Sequence, residues 1–338
     1  MKLFKNIKNW LENQEHLFYL FLFILIVPNL VLCLTEPLPL MAKVCNVLLP
    51  FGCYYLLMTL SRNCGKMLWI LFLFLFFGAF QIVLLYLFGQ SIIAVDMFLN
   101  LVTTNSSEAL ELLDNLTPAI IAVIVLYVPA LILGTISIVR KRKLTAEFIR
   151  RERKRASIVF GISLLSLVGA YVQDPGYELK SDLYPLNVCY NVGLAFQRTA
   201  LTQNYHRTSK DFTFHALPTH PKEKREVYVM VVGETSRALN WQLYGYERET
   251  TPLLSRQSGL IAFPKVLTES NTTHKSVPML MSDATACNYD SIYHQKGIIT
   301  AFKEAGFRTA FFSNQRYNHS FIDFFGMEAD TYDFIKED

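Results

Sequence analysis

The sequence has no Cys-x-x-Cys pair and no cysteine–histidine cluster, although it holds six cysteines. Thiolate zinc ribbons, iron–sulfur ligation and a dithiol redox centre are excluded on that ground. Its long apolar runs carry almost no internal charge. That excludes a carrier or channel, whose substrate path places ionisable groups at membrane depth. The stretches 35–38 and 89–117 contain no lysine or arginine. No small-residue cleavage site follows the first apolar run, so that run is not read as a removable signal peptide. The formal net charge is +4, and the basic residues flank the apolar runs. This is the pattern of membrane topology and excludes nucleic acid as the partner.

What is present is apolar: 52% of the chain belongs to the hydrophobic set. Five runs, at 17–34, 38–60, 67–88, 118–138 and 156–171, read as membrane-spanning helices. About 20 residues cross a hydrocarbon core, and the fifth run is at the short end. Pro28, Pro50 and Pro129 are expected to bend their spans. Basic residues stand at Lys2, Lys5 and Lys8, at Arg62 and Lys66, and densely from Arg140 to Arg155. These segments are expected on the cytoplasmic side, the long one as a stop-transfer and inner-leaflet anchor. Lys43, early in the second span, is expected to snorkel. Five spans with the N-terminus inside put residue 173 onward outside. The expected organisation is a five-span domain over 1–172, a linker with a membrane-proximal helix over 173–225, and a globular unit over 226–338. Cys189 and Cys287 both fall in this outer part, where an oxidising compartment permits a bridge between them.

The loop before the fourth span places Asn100, Thr104 and Glu108 four residues apart. On a helix they line one face, either a lipid-headgroup contact or a solvated interfacial face.

The outer unit reads as an α/β sandwich. Val227–Val232, Leu260–Val266 and Arg308–Phe312 are expected strands, the first a continuous apolar run. Gly233 permits a sharp turn at its end, and Glu234 follows. An acid beyond a strand's carboxyl end is a metal ligand or a helix cap. The turn Thr268-Glu269-Ser270-Asn271-Thr272-Thr273 then enters a helix, with Val277 and Leu280 behind Thr273. Thr273 reads as its N-cap. A hydroxyl there is a nucleophile if a cation at Glu234 lowers its pKa, and a plain cap otherwise.

The strings Gly233-Glu234-Thr235-Ser236-Arg237, Leu243-Tyr244-Gly245-Tyr246 and Arg248-Glu249-Thr250-Thr251-Pro252-Leu253 resemble the phosphoethanolamine transferase family. The block Ser270-Asn271-Thr272-Thr273 with Ser276-Val277-Pro278 resembles that family's nucleophile region. The resemblance implies a membrane-anchored enzyme of the bacterial inner membrane, with its outer domain periplasmic and similar to the alkaline phosphatase and sulfatase fold. It implies zinc, with Glu234 as a ligand and Thr272 or Thr273 as ligand and nucleophile; counting back from the helix favours Thr273. It implies that Asn100, Thr104 and Glu108 contact lipid substrate. The donor would be phosphatidylethanolamine, the acceptor lipid A or a core sugar of lipopolysaccharide. The chain departs from the family in having no late Ser-Asp-His-Gly stretch, which supplies two further ligands. An incomplete, truncated catalytic domain is therefore expected. The missing cysteine pairs point to the core-sugar branch or an uncharacterised one. The alternatives are a sulfatase or glycerol-phosphate transferase of the same fold, and a membrane-anchored lipid-binding remnant without activity.

Overall fold

The computed structural model describes residues 10–88, 106–219, 225–233 and 236–337. Contacts divide the chain into two units, Met1–Phe196 and Gln197–Asp338.

The first unit is helical. Its elements are α1 (Gln14–Thr35), α2 (Leu40–Met58), α3 (Cys64–Ile70), α4 (Phe72–Phe88), α5 (Ser106–Val139) and α6 (Ala146–Gln173). Among the described residues, four helices are long and apolar enough to cross a membrane. The pair α3 and α4 makes a fifth if counted as one span bent by 63°. The bend falls at Leu71, whose ψ of 12° leaves the helical well. Apolar residues on both sides hide it from a hydropathy reading. Pro28 and Pro50 lie inside α1 and α2, and Pro129 inside α5, as expected.

α3 and α5 touch through glycines. A Cβ on Gly65 would lie 2.1 Å from the Gly134 carbonyl oxygen, so the backbones meet where no side chain fits. α2 packs on α6 around a fully buried carboxylate, Glu152. Tyr55 donates to its Oε2 at 2.5 Å, while Arg151 and Arg155 donate to Oε1 at 2.9 and 3.0 Å. A buried charge persists because partners replace its hydration.

Residues 174–186 lie against this helical unit. Asn29 donates to the Asn46 and Tyr184 carbonyls at 2.8 and 2.7 Å. Asn46 donates to the Asp182 carbonyl at 2.6 Å and accepts from the Tyr177 hydroxyl at 2.5 Å. Tyr177 and Tyr184 are buried by this clamp. Burying an aromatic side chain contributes about 2–3 kcal/mol. Next comes α7 (Leu186–Gln203), at the position expected for the membrane-proximal helix.

The second unit is built around aromatic rings. Its elements include α8 (Thr273–Leu280), α9 (Ile298–Glu304), β1 (Ala310–Ser313), α10 (Phe321–Gly326) and β2 (Thr331–Phe334). β1 and β2 pair in parallel, in register from Ala310 opposite Thr331 to Ser313 opposite Phe334, and α10 makes the crossover. Tyr205, Met279, Ile292, Tyr293, Phe324 and Phe325 are buried together. Tyr205 stacks on Phe324 with centroids 5.5 Å apart.

The strand expected at Arg308–Phe312 is present as β1. The two earlier ones differ: residues 225–233 and 260–266 form no strand and have no ladder partner among the described residues. A strand forms when a neighbour accepts its backbone hydrogen bonds. Among the described residues none runs beside them, and Val229 and Val231 stand 78% and 85% exposed. Tyr228 is tied in, its ring 5.8 Å from those of Phe302 and Phe307. Cys189 and Cys287 are both free.

Candidate functional site

α8 is anchored by its far end. Pro278 and Met279 are buried, and the Met281 carbonyl accepts from the Ile298 N–H at 2.6 Å. Its first turn faces the hydroxyl-rich turn 268–272. There the Thr268 hydroxyl donates to the Ser270 carbonyl at 2.8 Å. The Ser270 and Thr272 hydroxyl oxygens lie 3.2 Å apart, and the Thr272 N–H donates to Ser270 Oγ at 3.3 Å. Glu269 holds the turn from outside by accepting from the Ala286 N–H.

The cap sits one residue earlier than the spacing of apolar residues suggests. Thr272 has the extended backbone of an N-cap, φ −123° and ψ 134°, and Thr273 is the first helical residue. The Thr272 carbonyl accepts from Ser276 N–H at 2.9 Å, but its hydroxyl makes no cap bond. That hydroxyl is turned to Ser270 instead. Both threonines are half-buried. The helix start therefore offers hydroxyls and the positive end of a helix dipole together, a combination suited to a phosphoryl group.

Lys275 adds a cation to this helix start that the sequence pattern does not reveal. It lies in the same first turn, and its ammonium sits 5.8 Å from the Tyr289 ring centroid. The aromatic partner is fourteen positions along the chain, so no local pattern announces the pairing.

Glu234 and Thr235 lie outside the described residues, as do Asn100 and Thr104. Glu108 falls in the first turns of α5, with its side chain outside what is described. The motif residues from 236 to 251 form a compact turn. Ser236 Oγ pairs with Trp241 Nε1 at 2.5 Å. The Thr250 hydroxyl accepts from Gln242 N–H at 2.9 Å and donates to the Asn240 carbonyl at 2.7 Å, and Thr251 accepts from Leu243 N–H at 3.1 Å. Gly245 takes φ 99°, a region costly for any residue with a Cβ. This part of the motif shapes the backbone.

Among the described residues, no three His, Cys, Asp or Glu side chains converge as a metal site. Catalytic zinc takes three protein ligands and an open position. An acid at Glu234 and one threonine oxygen make two, so these donors do not build a complete zinc sphere.

Residues 226–337 match the Sulfatase family, whose members are generally metal-dependent. The chain is 37% identical to phosphoethanolamine transferase EptA of Escherichia coli over 95 residues, 27% of this chain and 17% of that protein. It is 30% identical to phosphatidylethanolamine transferase Mcr-1 of Escherichia coli over 135 residues, 38% of this chain and 24% of that protein. It is 30% identical to phosphoethanolamine transferase CptA of Salmonella typhimurium over 101 residues, 29% and 18% of the two chains. The chain thus spans less than a quarter of each relative's length in these matches. No solved structure matches. The matches bear out the resemblance to the phosphoethanolamine transferases, and the fold is a helical membrane-type unit joined to a sulfatase-type α/β unit.

Proposed function

We propose that this chain belongs to an enzyme that moves phosphoethanolamine from phosphatidylethanolamine to a lipopolysaccharide acceptor, lipid A or core sugar, through a threonine-linked intermediate. The observation that carries the reading is the hydroxyl-lined start of α8, in a chain similar to named phosphoethanolamine transferases. Thr273 Oγ1 attacks phosphorus; the bond from phosphorus to the diacylglycerol oxygen breaks, and that oxygen takes the threonine's proton. In the second half an acceptor oxygen attacks the same phosphorus, the bond to Thr273 breaks, and the threonine recovers a proton from the acceptor. The helix start and Lys275 favour the phosphoryl oxygens throughout. Asn100, Thr104 and Glu108 would contact the lipid substrate, and membrane anchoring raises its effective concentration. In this reading the N-terminus is cytoplasmic, the second unit periplasmic, and the membrane the bacterial inner one. Zinc at Glu234 and Thr273 belongs to the same reading as an expectation, and no step is derived through it.

The test is incubation of the chain with phosphatidylethanolamine in detergent and mass analysis of the peptide 266–275, which holds both threonines. A phosphoethanolamine adduct on Thr273 supports the reading; an adduct on neither sinks it for this chain. The alternative is a lipid-binding unit that retains the architecture without turnover. It predicts lipid binding with no adduct.

A further inference from the structure

Arg150, Arg153, Lys154 and Ser157, with Ala146 and Ile149, line a shallow, open cleft of about 400 Å³ along one face of the basic end of α6. The charges around it are unequally committed. Arg151 and Arg155 are bound to Glu152, while Arg140 and Arg142 face Glu12. Arg153 donates to the Thr59 carbonyl at 2.7 Å, which fixes its guanidinium at the cleft with donors to spare. Among the described residues no ion pair engages Arg150 or Lys154.

The same helix face continues into the span. Steps of three and four residues lead from Arg150 through Lys154, Ser157 and Gly161 to Leu165 and Val168. A Cβ on Gly161 would meet nothing within 4 Å. Leu165 and Val168 are exposed. One face therefore presents a cationic cleft and, directly below it, an apolar track with open space at its upper end. That order of groups is the order along a phospholipid.

We propose that this face of α6 binds one anionic phospholipid, its phosphate among Arg150, Arg153 and Lys154 and an acyl chain along Gly161, Leu165 and Val168. Basic clusters beside spans hold anionic headgroups at about a fivefold gain per cation. Binding here is independent of phosphoryl transfer at α8, so either reading stands without the other.

The test is native mass spectrometry of the full chain, delipidated in detergent, with phosphatidylglycerol, phosphatidylethanolamine or inorganic phosphate added. The expected result is one phosphatidylglycerol retained in preference to phosphatidylethanolamine. Arg150→Gln with Lys154→Gln should weaken it about 25-fold. The charge-keeping pair Arg150→Lys with Lys154→Arg, and the pair Lys66→Gln with Lys143→Gln, neither of which lines the cleft, should stay within about twofold. If the double variant fails to fold, by helical circular dichroism, each single variant should still lose about fivefold. Equal loss in the Lys66 and Lys143 pair would mean diffuse charge and overturn the site. So would equal binding of the two lipids, or displacement by inorganic phosphate at the lipid's own concentration.

Discussion

Ser270 and Thr272 hold their hydroxyl oxygens 3.2 Å apart in the turn that delivers the chain into α8. Thr272 is committed to the turn, and Thr273 stands at the first helical position. Thr273→Ala should abolish any phosphoethanolamine adduct. Thr272→Ala and Ser270→Ala remove about one hydrogen bond's worth of positioning, and should slow adduct formation roughly tenfold while leaving its site unchanged. Fragmentation of the peptide 266–275 checks this; an adduct that survives Thr273→Ala reverses the assignment.

Gly245 and Gly193 make a matched pair. Gly245 turns at φ 99° inside the motif turn, whereas Gly193 lies within α7, where an added Cβ would meet nothing within 4 Å. Gly245→Ala should cost about 1–2 kcal/mol through backbone strain. Gly193→Ala should gain about 0.5–1 kcal/mol, because a helical glycine gives up more chain entropy. Thermal melts of the two variants should therefore move in opposite directions.

How much of this was legible follows from range. The apolar runs announced the spans, because a bilayer reads composition over about 20 residues. The bend at Leu71 was hidden, since its cause is conformational while hydropathy stays level across it. The clamp of Asn29 and Asn46 on 177–184 was also hidden, since it joins positions more than 130 residues apart. Val227–Val232 shows the opposite failure. Its composition suits a buried strand, but a strand also needs a neighbour, and hydropathy carries no information on pairing. At α8 the turn chemistry was legible and the cap was off by one, because two threonines in a row both satisfy the local pattern.

Tyr205 donates to Glu328 Oε1 at 2.9 Å, and the same carboxylate accepts from Gly297 N–H and the Thr300 hydroxyl. Removing the acid strands two donors, the Gly297 N–H and the Thr300 hydroxyl, while Tyr205 keeps the Gln295 carbonyl 3.0 Å away as an acceptor. Glu328→Ala should destabilise the second unit by about 3 kcal/mol, and Tyr205→Phe by about 1 kcal/mol. Urea unfolding followed by aromatic fluorescence measures both; a larger loss in Tyr205→Phe would contradict this ranking.

Acid should unfold the second unit through other carboxylates. Backbone N–H groups of Ala216 and Phe214, each 3.0 Å away, hold the Glu304 carboxyl below its ordinary 4.5. The Thr309 N–H and then Lys303 do the same to Asp330, whose ordinary value is 3.8. A depressed folded pKa gives stability that is complete above the unfolded value and lost as pH falls through the folded one. Glu328 runs the other way: burial raises it, so its share of stability grows as pH falls towards 4.5. The net loss should therefore begin below pH 4.5, the Glu304 reference. Glu304→Gln should flatten that decline and leave the region above about pH 6 parallel to the parent, as melts across roughly pH 3 to 7 would register.

Zinc supplies the sharpest check on the donor count. Two oxygen ligands hold a borderline cation weakly, while three or four hold it tightly enough to couple to folding. After dialysis against a chelator, the chain should carry well under one zinc per molecule, and its melting temperature should not change when zinc is added at about micromolar levels. Glu234→Ala should lower whatever weak binding a titration detects. Tight stoichiometric zinc in a monomer would mean that donors outside the described residues complete the sphere, and the alternative of a lipid-binding unit without turnover would fall with it.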